Sequence, residues 1–99
     1  MSEREFSIEL EETPASGRYV IALDDHAEAI MTFRKLDENT IAIDHTVVPN
    51  EYRGHGLAAK LVERGIADAR ARGWKIQPIC SYVVAQFRRH PDWADVHAA

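Results

Sequence analysis

Ninety-nine residues, 45% of them hydrophobic and eight aromatic, suffice for one domain over residues 1–99, and surface-to-volume scaling leaves too little core for two. The opening MSEREFSIELEE is charged where a signal peptide carries an apolar run, and no stretch approaches the ~18 apolar residues of a membrane span, so a cytoplasmic chain with no membrane or nucleic-acid partner is expected. The net charge of −4 hides an asymmetry: residues 1–51 carry twelve acidic and four basic side chains, residues 52–99 four and eight, read either as chance on a solvated surface or as an anionic ligand on the second half and a cationic one approached through the first.

In chain order, FSIEL from Phe6 alternates apolar and polar residues as a short strand would, and Pro14, Ser16 and Gly17 break what precedes them. Arg18–Leu23 and Ala27–Leu36 flank Asp24, Asp25 and His26, the pattern of two antiparallel strands joined by a tight connection. Asp37–Asn39 signals another turn. Thr40–Val48 is rich in β-branched residues at period two, which predicts Ile41, Ile43, His45 and Val47 on one face. Three strands in a meander are the economical reading.

The period then changes. Leu57, Ala58, Leu61, Val62, Ile66 and Ala69 recur at three- and four-residue spacing, which predicts an amphipathic helix from Gly56 to Arg72. Asp68 and Arg72 form an i,i+4 pair, and Gly73 suits the left-handed residue beyond the end. WKIQPIC returns as a strand in which Pro78, lacking an N–H, belongs at an edge. Ser81 is placed to cap a last helix whose apolar face is Val83, Val84 and Phe87, ended by His90-Pro91. The result is β-β-β-α-β-α, an α/β (α+β) domain with a mixed, mostly antiparallel sheet.

A strand, a glycine-bearing loop and a helix start make an anion site, because the first N–H groups of a helix have no intrahelical partner and the macrodipole adds positive charge. Gly54 and Gly56 leave the main chain approachable, with Arg53 and His55 at the same mouth; the plainer reading is a strand-to-helix turn. GHGLAA loosely satisfies G-x-G-x-x-G/A, but no acidic residue stands between Ala69 and His90, about where a ribose would need one, and G-x-x-x-x-G-K-[ST] is absent. Cys80 is the single cysteine, so no intramolecular disulfide forms, and no cysteine/histidine spacing suggests a metal site.

Arg53, Gly56 and Ala58 stand as R-x-x-G-x-A after VVP, and VVPNEYRGHGLAAKLVERGIADARARG resembles the strand, acetyl-CoA pyrophosphate loop and long helix of the GNAT superfamily of N-acetyltransferases. Elements HT-V-P, RG-GLA, P-CSYV and RHP-W resemble a minimal branch of roughly a hundred residues. The resemblance implies a sheet whose strands splay to hold acyl-CoA, with Val47 and Val48 pairing with the pantetheine arm, Arg53, Gly54, His55, Gly56, Leu57 and Ala58 around the pyrophosphate, and Tyr82 among the CoA contacts. It implies acetyl-CoA as co-substrate, no metal, and an amine acceptor. The tyrosine that many members use as general acid is replaced by Arg88 at the comparable position.

Cys80 falls one residue before the expected cap, where a helix N-terminus stabilises a thiolate, and the minimal branch has a cysteine there proposed as catalytic; the plain alternative is a small buried apolar residue. His45 is a candidate base. Trp74 and Trp93 read as packing. The activity expected is acetyl transfer to an amine, on a protein or peptide, by a monomer or homodimer. The alternatives are a non-catalytic CoA-binding regulatory module and a cysteine hydrolase using Cys80 with His45 or His90.

Overall fold

The structure, a computed structural model, describes residues 7–98. Strands β1 (Ile8–Glu12), β2 (Ser16–Asp24), β3 (Ala27–Lys35) and β4 (Thr40–Val47) precede helix α1 (Leu57–Arg72), strand β5 (Lys75–Pro78) and helix α2 (Ser81–Arg89). They form one sheet in the order β1-β2-β3-β4-β5, with every pair antiparallel except the last. A mixed, mostly antiparallel sheet was expected, but with three strands before the helix. The fourth is β1, built from the FSIEL stretch, of which Phe6 lies outside the described residues.

The alternation of period two decides which side of the sheet is the core. Tyr19, Ile21 and Leu23 of β2, Ala29, Met31 and Phe33 of β3, Ile41 and Ile43 of β4 and Ile76 of β5 are all buried on the inner face. Helix α1 covers that face with Leu57, Leu61, Val62, Ile66 and Ala69, and Val83 and Phe87 of α2 join the same core. Gly65 lets α1 lie close: a Cβ there would stand 3.1 Å from Met31 Cε. Gly17, expected to break the chain, instead lies inside β2 opposite Phe33, whose ring fills the space a side chain would take. Trp74 and Trp93 are both buried, as expected of packing residues.

Gly73 ends α1 in the left-handed conformation, φ +73. The expected Asp68–Arg72 pair does not form. Asp68 instead accepts from the Tyr19 hydroxyl at 2.8 Å and pairs with Arg64, because its side chain lies over the sheet. Arg72 stacks on Trp74 at 3.9 Å and makes two bonds, 2.8 and 3.1 Å, to Glu12 of β1. Lys35 reaches the same carboxylate at 2.6 Å. Bonds from Arg72 first, then Lys35, hold the Glu12 carboxyl down at about 2. Part of the charge asymmetry is thus internal, one half of the chain clasping the other.

Pro78 takes the last paired position of β5, opposite Ile43, on an edge strand as its missing N–H requires. The N–H groups of Ile79 and Cys80 both donate to the Ile43 carbonyl, at 3.0 and 3.1 Å, as the chain turns toward α2. Beyond Ile43, no described strand pairs with β4 on that side. The two strands part there.

Candidate functional site

The register of β4 changes just where it loses β5. Thr32 faces His45 and Phe33 faces Ile43, so Asp44 is an extra residue, a β-bulge. Asp44 is anchored on the outer face by the Thr32 hydroxyl at 2.6 Å and by Arg34 at 3.7 Å. One inserted residue exchanges the faces of everything after it. His45 therefore does not share a face with Ile41 and Ile43: it pairs with outward-facing Thr32 and is exposed, and Val47 turns outward with it. Thr46, opposite buried Met31, continues the inner face.

A cleft of about 560 Å³ opens between the free end of β4 and the start of α1. Its β4 wall is Thr46, Val47 and Val48; its loop is Tyr52, Arg53, Gly54 and Gly56; its helical wall is Leu57, Ala58 and Ala59, and Tyr82 of α2 closes it. The polypeptide reaches α1 through a 3₁₀ turn, Asn50–Tyr52, tied down by the Tyr52 hydroxyl donating to Asp24 at 2.8 Å. Gly54 and Gly56 have φ +88 and +73, a region open to glycine at little cost, and a Cβ at either would meet nothing within 4 Å. Gly56 is the N-cap of α1 and offers no side-chain cap; its carbonyl takes the Lys60 N–H at 3.1 Å. The N–H groups of Leu57, Ala58 and Ala59 precede the first intrahelical bond, so the helix itself supplies them no acceptor. The Arg53 N–H donates to the Asn50 carbonyl at 3.2 Å, and no described residue pairs with its guanidinium.

These features fit acyl-CoA. An uncapped helix start with an unpaired arginine suits a diphosphate, an unpartnered strand suits amide groups that need main-chain bonds, and the volume lies in the range of cofactor clefts. Val47, Val48, Arg53, Gly54, Gly56, Leu57, Ala58 and Tyr82 stand together on its walls, whereas His55, in the same loop, does not line it. Thr46, Tyr52 and Ala59 are wall residues that sequence reasoning missed. The signal for Tyr52 and Ala59 was their place between residues already chosen; for Thr46 there was none, since the bulge is a matter of pairing.

Cys80 is half-buried at the N-cap of α2 and donates to the Thr46 hydroxyl, Sγ to Oγ1 3.8 Å. Ser81, expected as the cap, is the first helical residue: Cys80 is extended (φ −61, ψ 133), and its carbonyl closes the first turn with the Val84 N–H at 2.9 Å. Burial pushes the Tyr82 phenol up, Arg89 opposing and Glu63 adding. Neither histidine expected to serve a cysteine hydrolase is brought to the thiol. His45 faces the other way, and His90 caps the far end of α2, stacked on Trp93 at 4.0 Å. Arg88 lies on a separate hollow with Gln77, Pro78, Val84 and Phe87.

A family model described as GCN5-related N-acetyl-transferase matches residues 18–96. Among solved structures, a GCN5-like protein of Staphylococcus aureus is 30% identical, with a TM-score of 0.71 over 92% of this chain and 88% of that one. The ribosomal-protein-alanine N-acetyltransferase of Brucella melitensis biovar Abortus 2308 is 22% identical, with a TM-score of 0.62 over 88% of this chain and 64% of that one, a likeness of fold. No curated protein matches the chain.

Proposed function

Because the chain belongs to the GCN5-related N-acetyltransferase family, we propose that it transfers the acetyl group of acetyl-CoA to an amine on a protein or peptide. The observation that carries the reading is the uncapped, glycine-opened start of α1, with an Arg53 guanidinium that no described residue pairs, at one end of a cleft whose other end is the length of β4 that no described strand pairs beyond Ile43. Arg53 and the N–H groups of Leu57 and Ala58 hold the diphosphate, and Gly54 and Gly56 keep the approach clear. The main chain around Val47 and Val48 pairs with the pantetheine amides, and Tyr82 packs against that arm.

The thioester is the chemistry that acetyl-CoA supplies. Its acyl end falls where β4 and β5 part, beside Thr46 and Cys80. The Cys80 thiolate attacks the acetyl carbon, the bond from that carbon to the CoA sulfur breaks, and the proton given up by Cys80 is matched by the one the CoA sulfur takes. The neutral acceptor amine then attacks the carbonyl carbon of the Cys80 thioester, the bond from that carbon to the Cys80 sulfur breaks as the amide forms, and the proton the nitrogen gives up passes to the sulfur, restoring the thiol. His45, turned outward, is not in this sequence of steps. Val47 on the cleft wall and Ile79, next to Cys80 in the chain, are both exposed, apolar side chains on which an extended peptide can lie, which supports a macromolecular amine.

The test is consumption of acetyl-CoA by the purified chain with and without a lysine-bearing or free-N-terminus peptide. Acetylated peptide formed only in the presence of both substrates is the expected result. CoA binding without turnover on any amine would instead favour the CoA-binding module, the reading that Arg88, placed away from the cleft, favours.

A further inference from the structure

We propose that Thr46 is the positioning residue for the Cys80 thiol, its hydroxyl on the cleft wall holding the sulfur beside that wall at the point where β4 and β5 part. The inference rests on the reading of Cys80 as the residue that takes the acetyl group, and it adds the group that makes the sulfur ready. Four observations converge on it. Thr46 lines the cleft, and its Oγ1 is 3.8 Å from the Cys80 sulfur. That hydroxyl reaches the sulfur only because the bulge at Asp44 turns Thr46 inward and His45 outward. The bulge is itself fastened, Asp44 being held on the outer face by Thr32 and Arg34. Just past the end of β5, the Ile79 and Cys80 N–H groups share the Ile43 carbonyl, which fixes the main chain carrying the sulfur. Both partners of the contact are thus placed by backbone bonds, and a rigid pair of this kind orders a reacting group at little entropic cost.

A threonine hydroxyl suits both states of the sulfur. It accepts the S–H while the thiol is protonated, and by rotating about its C–O bond it donates O–H once the proton has left. A hydrogen bond to the charged form is the stronger of the two, so the hydroxyl favours the nucleophilic state and aims it. Valine, of nearly the same shape, can do neither; serine can do both.

Cys80 is the chain's single cysteine, so its alkylation can be followed without interference and without CoA. The experiment measures the rate of iodoacetamide alkylation at one fixed pH, by mass, in the parent, Thr46→Val and Thr46→Ser. Thr46→Val is expected to react about tenfold more slowly and Thr46→Ser within about twofold of the parent, with melting temperatures unchanged in both. Equal rates in the parent and Thr46→Val overturn the proposal, as does a loss in Thr46→Val that Thr46→Ser does not restore. Should Thr46→Val melt lower, the urea midpoint and the serine variant decide: a slow, well-folded valine protein with serine rescue supports the role, and a fast one refutes it. Failure of the proposed acetyl transfer would appear separately, as absence of CoA binding or of turnover in the parent.

Discussion

Gly56 and Gly73 stand at opposite ends of α1 with the same φ, +73, and a Cβ at either meets nothing within 4 Å. Replacing either by alanine therefore has one shared cost, an L-residue in the left-handed region, of about 1 kcal/mol. For a domain of this size that lowers the melting temperature by about 4–8 °C, equally in the two variants. Only Gly56→Ala adds a methyl group to the lining of the cleft, at the mouth where the diphosphate is proposed to approach the helix start. Displacing one hydrogen bond to a charged oxygen costs ~1.5–3 kcal/mol, so CoA affinity is expected to fall roughly 10- to 100-fold in Gly56→Ala and to stay near the parent value in Gly73→Ala. Calorimetric titration with CoA, read beside thermal melts, makes the comparison. Equal CoA affinity in the two variants would refute the placement of the diphosphate, since the matched strain leaves the position of the methyl as the difference.

Three further outcomes are expected. Glu12 ionises at about 2 in the folded chain against 4.5 unperturbed; because the folded value is depressed, its stabilisation is present above 4.5 and lost as pH falls toward 2, and at the surface, where water screens the pair, it is worth about 1 kcal/mol. Urea melts of Glu12→Gln should thus fall below the parent at pH 7 and coincide with it near pH 2, and a gap that persists in acid would contradict the clasp. Gly17→Ala places a Cβ 2.3 Å from Phe33 Cζ, whose ring is wedged between Tyr19 and Trp74; a loss of roughly 2–3 kcal/mol is expected, and an unchanged denaturation midpoint would show that the ring can move. Cys80→Ala should keep CoA affinity within a few-fold and lose acetyl transfer, the parent carrying an acetyl thioester on Cys80 when no acceptor is present; near-parent kcat in the variant would favour direct attack by the amine.

What could be read along the chain was whatever neighbours in sequence decide. The switch from period two to period 3.6 after Pro49 marks β4 and α1 by itself, and Gly73 ends the helix by its own backbone freedom. The glycine-opened start of α1 at Gly54 and Gly56 was legible for the same reason, since N–H groups without an intrahelical acceptor belong to any helix that begins there. The part played by β1 was less clear, because a five-residue strand between turn residues gains its stability from pairing with β2.

Tertiary structure decided the rest, and β4 shows why. Alternation assigns a face to each residue only while the ladder is regular, and Asp44 is an extra residue solely in relation to Thr32 and Phe33 of another strand. Nothing in TIAIDHTVV announces the insertion, so the pattern pointed to His45 where pairing presents Thr46. Arg72 likewise had a partner one turn away in sequence but stacks on Trp74 and binds Glu12, because packing β1 beside α1 brings a carboxylate within reach at a geometry the helix cannot offer. Local spacing determined which elements form and where a helix opens on glycines; pairing between distant strands determined which hydroxyl meets the only thiol.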